Sequence, residues 1–180
     1  VIVVVALIIG WAIKVYNNLV KARNQVENSW SQIDVQLTRR FDLIQNLVET
    51  VKWYATHEKE IWEGFAAARR MYDNAKAGAD VGKLAEAEGK LSSTLGRLLI
   101  VQEQYPELKA DANFANMMSE LKETEKQIAF TRQFYNDVVL KYNNLREMFP
   151  GSIIASIFKF KEAEYFKASE ESRVAPKVSF

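Results

Sequence analysis

Residues 1–30 read VIVVVALIIGWAIKVYNNLVKARNQVENSW. The first thirteen residues carry no charge and run without a proline or a turn motif into a charged, amphipathic sequence. Lys14 can extend its ammonium group to water from the end of an apolar helix, and Trp11 and Tyr16 suit a bilayer interface. We therefore predict a transmembrane anchor whose helix continues as the first helix of a bundle. The anchor comprises Val1, Ile2, Val3, Val4, Val5, Ala6, Leu7, Ile8, Ile9, Gly10, Trp11, Ala12 and Ile13.

The apolar run is short for a complete membrane span. Its thirteen residues extend about 20 Å along a helix, against a hydrocarbon core of about 30 Å. Because the chain begins at Val1 rather than Met, we expect further apolar residues ahead of it. A signal-peptide core is the alternative, but no small-residue cleavage site precedes the helical part. Ala6 and Gly10 form a small-xxx-small pair, which can bring membrane helices together.

Beyond the anchor, apolar residues recur in one long series. Steps of three and four residues are typical of one face of an α-helix. Such a face fits either the core of an intramolecular bundle or a seam for partners and other copies. The series is Val26, Trp30, Ile33, Leu37, Phe41, Ile44, Val48, Val51 and Ala55.

A second helix is predicted from near Ile61 to about Ala75, after a break at residues 56–58. Residues 73–80 are small and polar, which favours a loop, with Gly78 as a helix C-cap and Asp80 as the next N-cap. A third helix then carries leucines at intervals of seven. It is predicted to end before Pro106, because proline cannot continue a helix.

The last long helix, with Asp111 as a suitable N-cap, has the most regular pattern. A strict repeat of seven predicts helices that wrap with a left-handed twist, within a bundle or in a coiled coil between copies. The sequence PGS at residues 150–152 then stops the helix. The repeat is Phe114, Leu121, Ile128, Tyr135, Tyr142 and Phe149, with Met117, Thr124, Thr131, Val138 and Leu145 in the paired position.

These patterns predict an all-α protein in which a transmembrane helix continues into an antiparallel bundle of about four long helices, followed by an irregular C-terminal tail. Three prolines and seven glycines in 180 residues fit that class. The predicted parts are an anchor at 1–16, a helical bundle domain at 17–150, and a short apolar segment with an extended tail at 151–180. The apolar segment fits packing onto the bundle, membrane contact or assembly. Its residues are Ile153, Ile154, Ile157, Phe158 and Phe160.

The composition excludes several kinds of chemistry. Cysteine is absent, which removes disulfides and thiol catalysis, and the single histidine, His57, lies in HEKEI without the second histidine of a zinc protease. No glycine-rich phosphate loop occurs, and a net charge of +1 gives no reason to expect nucleic acid. We therefore expect no catalytic, metal or cofactor site, and a protein that is not an enzyme.

Polar residues are concentrated in the first long helix. We predict that they form either a hydrogen-bonded cluster that fixes helix register or a docking surface, with the arginines paired to acids. Buried ions would be costly unless fully paired. The group is Asn24, Asp34, Gln36, Arg39, Arg40, Asp42 and Asn46.

Two separated stretches resemble the LemA family closely. They are YNNLVKARNQVENSWSQIDVQLTRRFDLIQNLVETVKWYATHE at 16–58 and RQFYNDVVLKYNNLREMFPGSIIASIFKF at 132–160, followed by the ending APKVSF. Gln45 and Trp53 depart from the family pattern, which usually has proline and glycine there, and predict a straighter helix. The resemblance implies a bacterial single-pass membrane protein with an antiparallel helical bundle, and it names no reaction.

These features predict a membrane-anchored scaffold that self-associates and presents a surface to other membrane proteins. The alternative is a monomeric accessory or sensor subunit that relays a state to a membrane protease or kinase. The expected partners are membrane lipid, further copies of the chain and other membrane proteins. The expected location is the bacterial inner membrane. Lys14, Lys21 and Arg23 after the anchor favour a cytoplasmic bundle.

Overall fold

The computed structural model describes residues 1–167. Within that range the chain is helical and contains no strand. The helices are α1 (Ile2–Tyr54), α2 (Lys59–Ala77), α3 (Val81–Gln104), α4 (Pro106–Ala110), α5 (Ala112–Glu147) and α6 (Gly151–Ile157). Four of them are long, and α1 continues from the anchor without a break, which confirms the predicted fold class.

The chain packs as two compact units, and α1 and α5 each contribute residues to both. Unit 1 consists of Val1–Asp34 and Ala129–Tyr165, and unit 2 contains Val35–Ile128. The predicted boundaries at residues 16 and 150 stay predictions. Most of the predicted tail, including its last residues, lies outside the described part of the chain.

The apolar series on α1 lies inside the protein. Its seven members from Ile33 to Ala55 are each at most 2 % exposed. In unit 2, the ring of Phe41 lies 4.3 Å from that of Tyr72 and 6.3 Å from that of Phe65, so α2 covers this face. The series is therefore a core face, which excludes it as a surface for another copy.

The seven-residue repeat on α5 is also a core face. Its first five members, Phe114 to Tyr142, are at most 3 % exposed. The sixth, Phe149, lies beyond the end of the helix and is 80 % exposed. The paired position is mixed, because Val138 is buried whereas Leu145 is 44 % exposed.

The predicted caps at Asp80 and Asp111 are confirmed. The Asp80 carboxylate accepts the N–H of Lys83 at 3.0 Å, and the Asp111 carboxylate accepts the N–H of Phe114 at 2.8 Å. These backbone hydrogen bonds favour the ionised form and hold the pKa of both carboxyl groups below the ordinary value. Asp111 also accepts the hydroxyl of Tyr54 at 2.9 Å, and this bond raises the pKa of that tyrosine.

The predicted loop at residues 73–80 is wrong for most of its length. Helix α2 continues to Ala77, and only Gly78–Asp80 separates it from α3. Tyr72 and Ala75 are each 2 % exposed, so one more helical turn keeps Ala75 in the core. Burial of this face outweighs the weak helix preference of Asp73 and Asn74. Gly78 is the C-cap, as predicted.

In unit 1, α1 and α5 run antiparallel. The ring of Trp30 lies 5.4 Å from that of Tyr135, and nearer the anchor Leu19 packs in one cluster with Tyr142. Helix α6 and Phe160 close this core, which consists of Leu19, Ala22, Tyr142, Ile154, Ala155 and Phe160. The C-terminal end of α5 therefore lies beside the part of α1 that follows the anchor.

Candidate functional site

The anchor is an exposed apolar helix. Among the described residues, α1 is the one helix long and apolar enough to cross a bilayer, and its most apolar 18-residue window has a mean hydropathy of 1.8. Only 6 % of that window is buried within the protein. Leu7 is 69 % exposed and Ile13 is 55 % exposed. A helix with this surface is stable in lipid rather than in water, so it is a candidate membrane anchor.

The short apolar segment predicted for assembly folds as α6 and divides into two faces. Ile154 is 6 % exposed and Phe160 is 9 % exposed, and both belong to the core of unit 1. These two residues are therefore unable to form an assembly contact in this fold. Ile153, Ile157 and Phe158 remain exposed at 47–64 %.

The residues that follow α6 form no regular secondary structure and are hydrogen-bonded to α5, and we call residues 160–165 the C-terminal strap. The Tyr142 hydroxyl donates to the carbonyl of Lys161 at 2.7 Å, and the Tyr135 hydroxyl donates to that of Glu164 at 2.8 Å. Between them, the Asn143 amide donates to the Ala163 carbonyl at 2.9 Å and accepts the Ala163 N–H at 3.0 Å.

These strap contacts were not predicted from the sequence, although the sequence contains an indication of them. Two successive core positions of the seven-residue repeat carry tyrosine rather than leucine, and a buried phenol needs a hydrogen-bond partner. A buried Asn143 beside Tyr142 is a further sign that backbone polar groups pack there. Burial raises the pKa of Tyr135 to about 12, and the Glu164 carboxylate adds to this effect.

Of the predicted polar cluster, only Arg40 is buried, with its side chain 4 % exposed. Its guanidinium forms an ion pair with Glu88 on α3 and donates to the Ser92 hydroxyl at 2.9 Å. Its Nε lies 2.5 Å from Oε1 of Glu125 on α5, close enough for an ion pair although outside good hydrogen-bond geometry. Arg40 thus joins three helices of unit 2, as expected for a group that fixes register.

The other members of that group do not come together around Arg40. Arg39 lies 3.6 Å from Glu120, and Asp42 lies 3.6 Å from Arg69, in two separate surface ion pairs. Asp34 and Gln36 are half-buried, whereas Asn24 and Asn46 are exposed. The predicted cluster is corrected to one buried arginine and a dispersed polar surface, because successive helix positions point in different directions.

An exposed apolar stripe on α5 was not predicted. Phe130 is 68 % exposed and Phe134 is 47 % exposed, and Leu145 continues the same face toward the end of the helix. Asp137 and Lys141 lie between them and are also exposed. The buried seven-residue repeat on the opposite side of α5 obscured this second pattern. We call these five residues the α5 stripe.

Residues 1–167 contain no group of three acidic or histidine side chains that could hold a metal ion. His57 is exposed in the turn between α1 and α2, and it contributes its backbone carbonyl to Lys59 N–H at 2.9 Å. The prominent features of the described chain are therefore apolar surfaces and a structural ion network.

Comparison with known proteins decides the family. A family model described as LemA family matches residues 29–180, most of the chain. The chain belongs to the LemA family. Membership confirms the resemblance read from the two sequence stretches. The match includes α2 to α6 and about half of α1, from residue 29 onward.

This LemA-family protein has relatives among named proteins. It is 30 % identical over 175 residues to Magnetosome protein MamQ 2 of Paramagnetospirillum magneticum, an alignment that covers 84 % of this chain and 64 % of that protein. It is 27 % identical over 160 residues to Protein LemA of Metamycoplasma hominis, covering 88 % of this chain and 71 % of that protein. The chain therefore spans less than two thirds of the magnetosome relative's length. The family and the exposed apolar helix together indicate a membrane-associated helical protein.

Proposed function

We propose that this LemA-family protein is a non-enzymatic, membrane-anchored scaffold that self-associates and presents a surface to other membrane proteins. The observation that carries the proposal is the α5 stripe. Exposed aromatic side chains on one face of a long helix are typical of an interaction surface, since their exposure to water is unfavourable.

The charges in the stripe favour another copy of the same chain as the partner. Asp137 and Lys141 are four residues apart, one helical turn, and carry opposite charges. When two such stripes meet in the same direction, each carboxylate lies diagonally across from the ammonium of the other copy, so two ion pairs can form between the copies. Opposite charges within an apolar contact also set its register.

The anchor sets the orientation of such an assembly. Copies held in one bilayer are related by an axis along the membrane normal, so residues at equal height face each other. Phe130 and Phe134 then meet the same residues of the second copy. Asp137 of one copy lies one turn from Lys141 of the other, within reach of a long lysine side chain.

The scaffold's outer surface is the part we assign to other membrane proteins. In unit 2, Trp53 on α1 is 86 % exposed and Ile100 on α3 is 61 % exposed. Lys14, Lys21 and Arg23 after the anchor support a bundle on the cytoplasmic side of the inner membrane.

Particle mass after mild detergent extraction tests self-association. We expect the unchanged chain to form a discrete multimer. Asp137→Lys or Lys141→Asp alone places like charges across the contact, and each variant should fall to a smaller particle. Because the two variants are complementary, mixing them should restore the multimer, as should the double exchange in one chain.

Helix content measured by circular dichroism is the control, and it should not change because both positions are exposed. If the unchanged chain and all variants have the mass of one copy, self-association is excluded. The monomeric accessory or sensor subunit then becomes the better description, and the search moves to a partner protein.

A further inference from the structure

Four large apolar side chains surround α6 on its exposed side. Phe149 is 80 % exposed, Ile153 47 %, Ile157 64 % and Phe158 57 %. They belong to a helix of seven residues and its immediate flanks, whereas Ile154 and Ala155 on the other side are buried. We call these four residues the α6 foot. The self-association described above uses the α5 stripe, and none of these four residues belongs to that stripe.

The foot lies at the height where the anchor ends. The ring of Phe158 is 4.7 Å from the ring of Tyr16 on α1. Tyr16 follows Ile13, the last anchor residue, by three positions, or about 4.5 Å along the helix axis. A rigid helical connection of this length holds the foot close to the boundary of the hydrocarbon layer when the anchor is in a bilayer.

An apolar cavity adjoins the foot on the same unit. It has a volume of about 540 Å³ and lies between the start of α1 beyond the anchor and the end of α5. Its apolar wall includes Val15, Leu19, Met148, Phe149 and Pro150. Lys141 and Leu145 of the α5 stripe border it on one side. This space is continuous with the apolar surface of Phe149 and is suited to a hydrocarbon chain.

Positive charges accompany the foot. Lys14 on α1 and Lys159 directly after Phe158 are both exposed. Arg23 lies farther along α1, with its guanidinium 5.4 Å from the centre of the Phe160 ring. Apolar side chains bordered by lysines are typical of segments that lie in the interface of a membrane containing anionic lipids.

We infer that the α6 foot enters the boundary between headgroups and acyl chains of the bilayer that holds the anchor. Its occupant is phospholipid: acyl chains cover Phe149, Ile153, Ile157 and Phe158, and an acyl chain occupies the adjoining cavity. Lys14 and Lys159 face the lipid phosphates. The foot is thus a second membrane contact, which fixes unit 1 against the bilayer surface and prevents free rotation about the anchor.

Depth-dependent fluorescence quenching tests this contact in the full chain. Because the chain has no cysteine, Ile157→Cys provides a single site for an environment-sensitive fluorophore. Val35→Cys is the matched control: Val35 is 64 % exposed, as Ile157 is, and lies outside the α5 stripe, on α1 well beyond the anchor. Both labelled proteins are reconstituted in phosphatidylcholine–phosphatidylglycerol vesicles that contain lipids with a quencher near the headgroup.

We expect the label at 157 to lose most of its fluorescence to the lipid quencher, while the label at 35 keeps most of its fluorescence. Equal quenching at the two positions would overturn the inference. Blue-shifted emission at 157 without lipid quenching would also overturn it, since a second copy would then cover the foot. Ile153→Cys repeats the test at a second position.

The same measurement in an Asp137→Lys background separates this contact from self-association. The inference requires only the anchor, so quenching at 157 should persist in that background. If quenching at 157 persists but the unchanged chain forms no multimer, the scaffold proposal is contradicted. The lipid contact of the foot is then still supported. Loss of quenching only in the Asp137→Lys background would overturn the foot as an independent lipid contact.

Discussion

Arg40 carries the buried charge that the packing of unit 2 depends on. Its side chain is paired with Glu88 and Glu125, so replacing it by alanine removes a counter-ion from each of these two acids. Glu88 lies in the protein interior. Such a loss destabilises a protein by about 3–5 kcal/mol. We therefore expect Arg40→Ala to lower the free energy of unfolding by that amount in urea denaturation.

Arg39 is the matched control for this substitution. It is the preceding residue on α1, carries the same charge and forms an exposed ion pair with Glu120 at 3.6 Å. Because exposed pairs contribute about 0–1 kcal/mol, Arg39→Ala should have little effect. If the two variants lose the same free energy of unfolding, the buried ion network is not the source of the stability that Arg40 contributes.

Gly151 is needed for the close approach of α6 to α5. A Cβ atom at this position would collide with the backbone carbonyl of Leu145. We expect Gly151→Ala to displace α6 and to lower the free energy of unfolding by about 1–3 kcal/mol, as overpacking does. Thermal unfolding followed by circular dichroism measures this.

Gly96 provides the opposite case. It is exposed in the middle of α3 and has no atom within 4 Å of an added Cβ. Gly96→Ala should therefore stabilise the protein by about 0.5–1 kcal/mol through the lower entropy of its unfolded chain. A destabilising Gly96→Ala, or a neutral Gly151→Ala, would contradict the packing described for these two glycines.

At the scale of elements, the C-terminal strap is held by two tyrosines of α5, Tyr135 and Tyr142, and these tyrosines predict a pH dependence of stability. The pKa of Tyr135 rises from 10.0 to about 12 in the folded chain, mainly through burial. Folding thus favours the protonated phenol, so its contribution is complete below pH 10 and is lost as the pH rises toward 12. Tyr142 shifts in the same direction.

Thermal unfolding measured across this alkaline range tests the strap. The unchanged chain should lose stability between about pH 10 and pH 12, and Tyr135→Phe should lose less. Tyr105 is the control position, because it lies between α3 and α4 and not on the part of α5 that binds the strap. If Tyr105→Phe reduces the alkaline loss of stability as much as Tyr135→Phe does, the buried phenol of Tyr135 is not the source of that loss.

The main elements could be predicted from the sequence because their apolar residues recur at helical spacing. The core face of α1 and the seven-residue repeat of α5 follow directly from this spacing. Other features depend on tertiary contacts that a pattern does not encode. Burial of Ala75 extended α2 into the predicted loop, and the partners of Arg40 lie 48 and 85 positions away in the chain.

The candidate surfaces were harder to predict than the core. Ile153 and Ile154 are neighbours with the same hydropathy, yet one is 47 % exposed and the other 6 %. Their difference follows from the direction of α6, which is fixed by its contacts with Leu19 and Tyr142. The α5 stripe was missed for a related reason. The core repeat dominates the apolar pattern of α5, and the exposed pattern on its other face is shorter and weaker.

For the whole molecule, the anchor, the α6 foot and the α5 stripe fall on unit 1. The proposed scaffold places this unit against the membrane and uses its α5 surface to join copies. Unit 2 holds the buried Arg40 network and offers its own exposed residues, such as Trp53, to other proteins. Membrane attachment and assembly are thus assigned to one unit, and presentation to the other.

Cysteine crosslinking in intact membranes tests self-association most directly, because it needs no extraction. Phe134→Cys places one thiol in the α5 stripe of a chain that otherwise has none, and Trp53→Cys places one on an exposed site outside it. Under mild oxidation we predict a covalent dimer for Phe134→Cys, lost when Asp137→Lys is added, and none for Trp53→Cys. A Phe134→Cys chain that remains single, or that crosslinks no more than Trp53→Cys, would contradict the scaffold.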